Sequence, residues 1–175
     1  MSYLLVKLRK KEMEYTKGRE NIKSGDLLAW SKKDFTTIKD LFPWIVRVFT
    51  ASKYTHVGVA WVVEGRVFVI EAVPPCVRIY PLSRRLPCYH INMNVDWQEG
   101  DDKFLIDQVG KPYSTMDAIR GYLYEPNSEN DRWMCVKLSK FFYDIVEVDV
   151  GDSWTPAGLV EYLVTTKDKK INYLS

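Results

Sequence analysis

The sequence predicts an α+β domain in which a small antiparallel sheet or half-barrel packs on a helix carrying a cysteine. Three observations carry that expectation. Two runs rich in β-branched and aromatic residues, 56–63 (HVGVAWVV) and 66–73 (RVFVIEAV), are separated only by Glu64-Gly65. A glycine-containing two-residue turn between such runs signals a hairpin. Two further strand candidates follow, at 77–80 and 89–95, punctuated by Pro74, Pro75, Pro81 and Pro87. Finally, Cys135, Val136, Leu138, Phe141, Phe142, Ile145 and Val146 recur at the spacing of one helix face.

Taken in order, residues 1–23 read as a basic, solvated arm with one short strand or helix, carrying Lys7, Arg9, Lys10, Lys11, Lys17 and Arg19. Residues 24–175 read as a single domain. Gly25-Asp26 is turn chemistry, and 27–30 (LLAW) is a short buried strand. Residues 35–49 have roughly helical apolar spacing, and Pro43 favours a helix start near 44–49. Residues 99–109 form a helix with Phe104, Leu105, Ile106 and Val109 on one side, stopped by Gly110-Lys111-Pro112. A short helix is expected over 117–123. The polar loop 125–131 then offers Ser128, Asn130 and Asp131 as capping residues for the Cys135 helix. Thr155-Pro156 opens a last helix over 157–163, with proline at its first position.

Composition narrows the function. The 175 residues are 46% apolar and 27% charged, a globular balance in a chain long enough to bury a core. The 14% aromatic content suits a well-filled core or an apolar cleft. A net charge of +2 gives no strong field toward nucleic acid or membrane. Cys76, Cys88 and Cys135 contain no CxxC pair, and only His56 and His90 could join them. Neither a disulfide framework, a structural zinc site nor any other cofactor is expected. Cys76 and Cys88 read as structural, and His90 as an ordinary strand residue. No run of ~20 apolar residues exists to span a membrane. The N-terminal apolar run is too short for a signal peptide. The expected compartment is therefore the reducing cytosol, compatible with a phage- or virus-encoded product.

The chemistry lies in the hairpin and the cysteine helix. With Glu64 and Gly65 as turn residues, Gly58 faces Glu71 and His56 faces Val73. Alternation then puts His56, Gly58, Glu71 and Val73 on one face, with His56 and Glu71 as diagonal neighbours. Gly58 leaves room beside the imidazole. A carboxylate on one ring nitrogen orients a histidine whose other nitrogen acts as a base. Glu71 in an otherwise apolar strand needs such a partner. Cys135 is the candidate nucleophile: at a helix start, the dipole and free N–H groups stabilise a thiolate and an oxyanion.

Gly25-Asp26-Leu27, Tyr54-Thr55-His56-Val57-Gly58, Val69-Ile70-Glu71-Ala72, Gly110-Lys111-Pro112-Tyr113, the Cys135 helix and Trp154-Thr155-Pro156-Ala157-Gly158-Leu159 together resemble the NlpC-type papain-like superfamily. The order His, Glu, Cys resembles its circularly permuted, YiiX/YaeF-like branch. The resemblance spans about residues 24–165. It implies Cys135 as nucleophile, His56 as general base and Glu71 as the residue orienting the ring. It also implies that Tyr113 lies near the thiolate and shapes the oxyanion site. The implied activity is a cysteine hydrolase, of amidase or peptidase type, working through an acyl-enzyme on cell-wall-type peptide amides. Where the family pattern has a serine after the cysteine, this chain has Val136, followed by Lys137, which is expected on a solvated helix face.

Two other readings fit the same fold. One is an acyl hydrolase or acyltransferase on lipid or thioester substrates, as in lecithin:retinol acyltransferase relatives, with Trp44, Phe49, Tyr122, Tyr124 and Trp133 lining an acyl groove. The other is a binding or virion-associated module without turnover.

Overall fold

The computed structural model describes residues 18–31, 53–121 and 131–175, with the backbone alone at Arg120. The expected basic arm up to Lys17, the helix near 44–49, and the capping residues Ser128 and Asn130 lie outside the described residues. So do Trp44, Phe49, Tyr122 and Tyr124.

Six strands form one antiparallel sheet: β1 (Leu27–Ser31), β2 (Tyr54–Val63), β3 (Arg66–Val73), β4 (Cys76–Pro81), β5 (Cys88–Ile91) and β6 (Ile171–Leu174). Their spatial order is β4-β3-β2-β1-β5-β6. Among the described residues, the sheet is accompanied by the helices α1 (Asp101–Asp107), α2 (Thr115–Arg120), α3 (Cys135–Ile145) and α4 (Pro156–Thr165). The class is α+β. Among the described residues, no helix is long and apolar enough to cross a membrane.

The β2–β3 hairpin has the register read from the sequence. Val63 pairs with Arg66, and the ladder runs back to Val59 opposite Ile70. Glu64 (φ 48°) and Gly65 (φ 70°) both take the left-handed conformation. That matches the twist of the flanking strands in a two-residue turn. At the other end, β1 pairs Trp30 with His56 and Ser31 with Tyr54, so Thr55 is an extra residue immediately before His56. Such a bulge re-aims the neighbouring side chain.

Strand alternation splits the interior into two apolar clusters. On one face Leu27, Ala29, Val57, Val59, Ile70 and Ala72 pack with Val136, Leu138 and Phe142 of α3 and Leu159 and Leu163 of α4. On the other, Leu28, Trp30, Ala60, Val67, Val69, Leu82, Cys88 and Leu174 form a second cluster. This two-sided burial explains why β1 reads as a continuous apolar run and not as an alternation. Tyr143 ties α3 to the sheet: its buried hydroxyl donates to the Gly25 carbonyl at 2.9 Å.

Several boundaries differ from expectation. The fifth strand ends at Ile91 rather than 95, because Asn94 is left-handed (φ 55°) and its N–H is taken by the Asn92 side chain. Helix α2 starts at Thr115, earlier than 117, because Ser114 caps it through the Asp117 N–H. The strand β6 was not anticipated. Ile145 is exposed and leaves the apolar stripe of α3. Asp131 does not cap α3: Met134 is the N-cap residue, with no side-chain cap, and Asp131 pairs with Lys111. Nor is Lys137 solvated. It is buried, with Nζ donating to the Arg132 carbonyl at 3.0 Å and lying over the Trp133 ring. Helical side chains lean toward the N-terminus, so this third residue of α3 folds back across the segment leading into the helix. Burial pushes its ammonium below the ordinary pKa, with Asp117 and Asp131 opposing.

Candidate active site

His56 and Glu71 meet as the hairpin register requires. His56 Nε2 and Glu71 Oε2 are 2.7 Å apart, both residues buried. The close approach depends on Gly58. A Cβ there would stand 2.6 Å from a Val69 methyl and 3.2 Å from the Glu71 Cβ. Burial pushes the imidazolium of His56 down, but hydrogen bonds to Cys135 and Glu71 and their charges outweigh it, so its pKa lies above the ordinary 6.5. Burial pushes Glu71 up, and His56 and Arg85 more than reverse this, holding the carboxyl well below the usual carboxylate range.

Cys135 is the first residue of α3 and is buried, 7% exposed, and close enough to His56 to raise the pKa of its ring. The first intrahelical bond runs from the Leu138 N–H to the Met134 carbonyl at 3.0 Å. The N–H groups of Cys135, Val136 and Lys137 therefore precede the helical ladder, as in any first turn. Such groups beside a thiol provide positive potential for a sulfur anion or an oxyanion.

Tyr113 approaches through its backbone. Its N–H donates to the Pro75 carbonyl at 2.8 Å, and it bridges in parallel to Trp133, two residues before Cys135. The Ser114 N–H donates to the Trp133 carbonyl at 2.7 Å, and the Trp133 N–H to Pro112 at 3.0 Å. The Gly-Lys-Pro-Tyr segment thus braces the chain entering α3.

Two arginines were not anticipated at this site. Arg78 binds Glu71 Oε1 through Nε at 2.9 Å and Nη2 at 2.7 Å. Arg85 donates to Oε2 at 2.9 Å, sharing that oxygen with His56. Arg78 stands directly opposite Glu71 in the β3–β4 ladder, so its partner was readable once that register was known. Arg85 follows a 3-10 turn (Leu82–Arg84), and no periodicity marks it. The other buried histidine is elsewhere: His90 Nε2 lies 2.7 Å from Asp26 Oδ2, whose other oxygen accepts from the Met93 N–H. Cys76 and Cys88 lie on β4 and β5, and none of the three cysteines is in a disulfide.

No family model matches the chain, and no curated protein matches it. The fold matches a solved structure, metalloprotein YiiX from Escherichia coli O157:H7, with a TM-score of 0.52 and 18% identity over 74% of this chain and 69% of that one. The chain therefore has a YiiX-like α+β fold. Among the described residues, no three His, Cys, Asp or Glu side chains gather as a metal site.

Proposed function

We propose that this chain is a cysteine hydrolase of the permuted papain-like type, with residues 24–175 as its single domain. Cys135 is the nucleophile, His56 the general base and Glu71 the group that orients His56. The observation that carries this reading is a buried imidazole that meets a carboxylate at 2.7 Å and whose pKa is raised by that carboxylate and by a cysteine at the first turn of a helix. Support also comes from the order His, Glu, Cys and the YiiX-like fold.

The thiolate sulfur attacks a carbonyl carbon, and the C=O electron pair moves to the oxygen, facing the first N–H groups of α3 with Tyr113 beside them. The imidazolium gives its proton to the leaving amine as the C–N bond breaks, leaving a thioester on Cys135. Water then adds to the thioester while His56 takes its proton, and the returning proton regenerates the thiol and releases the acid. Peptide amides of the cell-wall type are the proposed substrates. A metal plays no part in this reading. The carboxylate nearest His56 spends both oxygens on His56 and two guanidiniums, and that donor set does not fit a cation.

A panel of peptide amides, esters and thioesters tests this, with intact-mass detection of the acyl-enzyme. Turnover of amides, lost in Cys135→Ala and His56→Ala, is the expected result. Turnover of esters and thioesters alone would move the assignment to acyl-lipid chemistry. Equal binding of the panel by wild type and Cys135→Ala without turnover would leave a binding module.

A further inference from the structure

The His56–Glu71 pair closes a ring of contacts whose other members, Arg85 and Trp30, the proposed reaction does not use. Arg85 donates to Glu71 Oε2 at 2.9 Å, the oxygen that also meets His56 at 2.7 Å. The Arg85 guanidinium lies over the Trp30 ring, 5.0 Å from its centroid, and Trp30 Nε1 donates to the Arg85 carbonyl at 2.7 Å. The Trp30 ring in turn stands 5.4 Å from the His56 ring. Outside the ring, Arg78 grips the other oxygen of Glu71 with two donors.

The charges are unbalanced. Two guanidiniums face one carboxylate, while the His56–Cys135 pair sums to zero wherever their shared proton sits. The cluster thus carries excess positive charge in both states. A carboxylate bound to a histidine alone can swing away, and its undivided field holds the imidazolium proton tightly. Two arginines prevent the swing and share that field, and excess positive charge favours an added anion.

We propose that Arg85, supported by Arg78, is a positioning residue of this site: it fixes the Glu71 carboxylate so that His56 is presented to Cys135, and its charge favours the Cys135 thiolate. This rests on the reading of His56 and Cys135 as a working pair. The charged and titratable groups that bear on His56 include Glu71 on β3 and Cys135 on α3, and Arg78 on β4 and Arg85 after the 3-10 turn act on it through Glu71.

The test uses Arg85→Gln, Arg85→Lys and Arg78→Gln with two readouts. The first is the pH profile of Cys135 alkylation. The second is the NMR titration of the His56 ring in a Cys135→Ala background, which does not depend on a working thiolate. In Arg85→Gln the acid limb of alkylation moves up by about one pH unit, roughly a tenfold loss of rate on that limb. The His56 titration also moves up, because a positive neighbour is gone, and Arg85→Lys restores most of both. Arg78→Gln, at the more exposed side chain, shifts both in the same direction and serves alone should Arg85→Gln not fold. A His56 titration that moves down or stays put, or a lysine variant as impaired as the glutamine, would overturn the proposal. A wild-type protein without low-pH alkylation would instead sink the catalytic reading, while the His56 titration would still decide the role of Arg85.

Discussion

At the scale of residues, the site rests on one imidazole between a carboxylate and a thiol. Replacing His56 by alanine removes the imidazole whose pKa Cys135 raises. Its alkylation rate near pH 6 should then fall by one to two orders of magnitude, toward that of an ordinary thiol with a pKa of about 8.5. Equal rates in the two proteins would rule out the pair. Glu71→Gln leaves two guanidiniums without their buried counter-charge. Breaking such a cluster costs about 3–5 kcal/mol, to be read by urea unfolding; a loss below about 1 kcal/mol would mean the arginines find other partners. The sequence revealed His56 and Glu71 because a two-residue turn leaves a single register to consider. That Cys135 begins a helix was visible from its place at the head of an apolar stripe. Arg85 was not, since it sits in irregular chain and reaches Glu71 only through the folded path after β4. Lys137 was misread because helical phase alone did not reveal that the preceding chain lies over it.

Among elements, the hairpin and the helix ends decide geometry. Gly58→Ala drives a methyl into Val69 and against Glu71. Overpacking of this kind costs about 1–3 kcal/mol, and the proposed amide turnover should fall by more than the stability loss explains, because His56 and Glu71 move apart. Unchanged kinetics in a folded Gly58→Ala protein would show that the close approach is not needed. At α4, Thr155 Oγ1 accepts from the Gly158 N–H at 3.1 Å. Thr155→Ala should lower stability by about 1 kcal/mol without altering the site. Thr-Pro made this helix start legible in the sequence. The strand β6 was not legible: four residues after a lysine-rich stretch carry little periodicity, and only pairing with β5 makes them a strand.

For the whole molecule, the sheet order brings both members of the histidine–carboxylate pair onto adjacent central strands, while α3 covers the opposite face and presents its first residue to His56. The pH dependence of stability follows from the same pair. Glu71 has a folded pKa below its ordinary 4.5, so its contribution is present above that value and is lost as pH falls through the folded value. His56 has a folded pKa above its ordinary 6.5, so its contribution is complete below 6.5 and is lost as pH rises through the folded value. Both contributions coexist between 4.5 and 6.5. Melting temperatures should show an alkaline decline that His56→Ala flattens and an acid decline that Glu71→Gln flattens. The α+β class and five of the six strands could be read from local pattern, whereas the strand order could not, because β1 pairs with β2 and β5 across long stretches of chain. The most direct test of the central claim is cysteine-directed alkylation from about pH 5 to pH 9, mapped by mass spectrometry in wild type, Cys135→Ala and His56→Ala. Fast low-pH labelling at Cys135 that collapses in His56→Ala is the predicted result. Labelling at Cys76 or Cys88 instead, or at Cys135 only as an ordinary thiol, would contradict it.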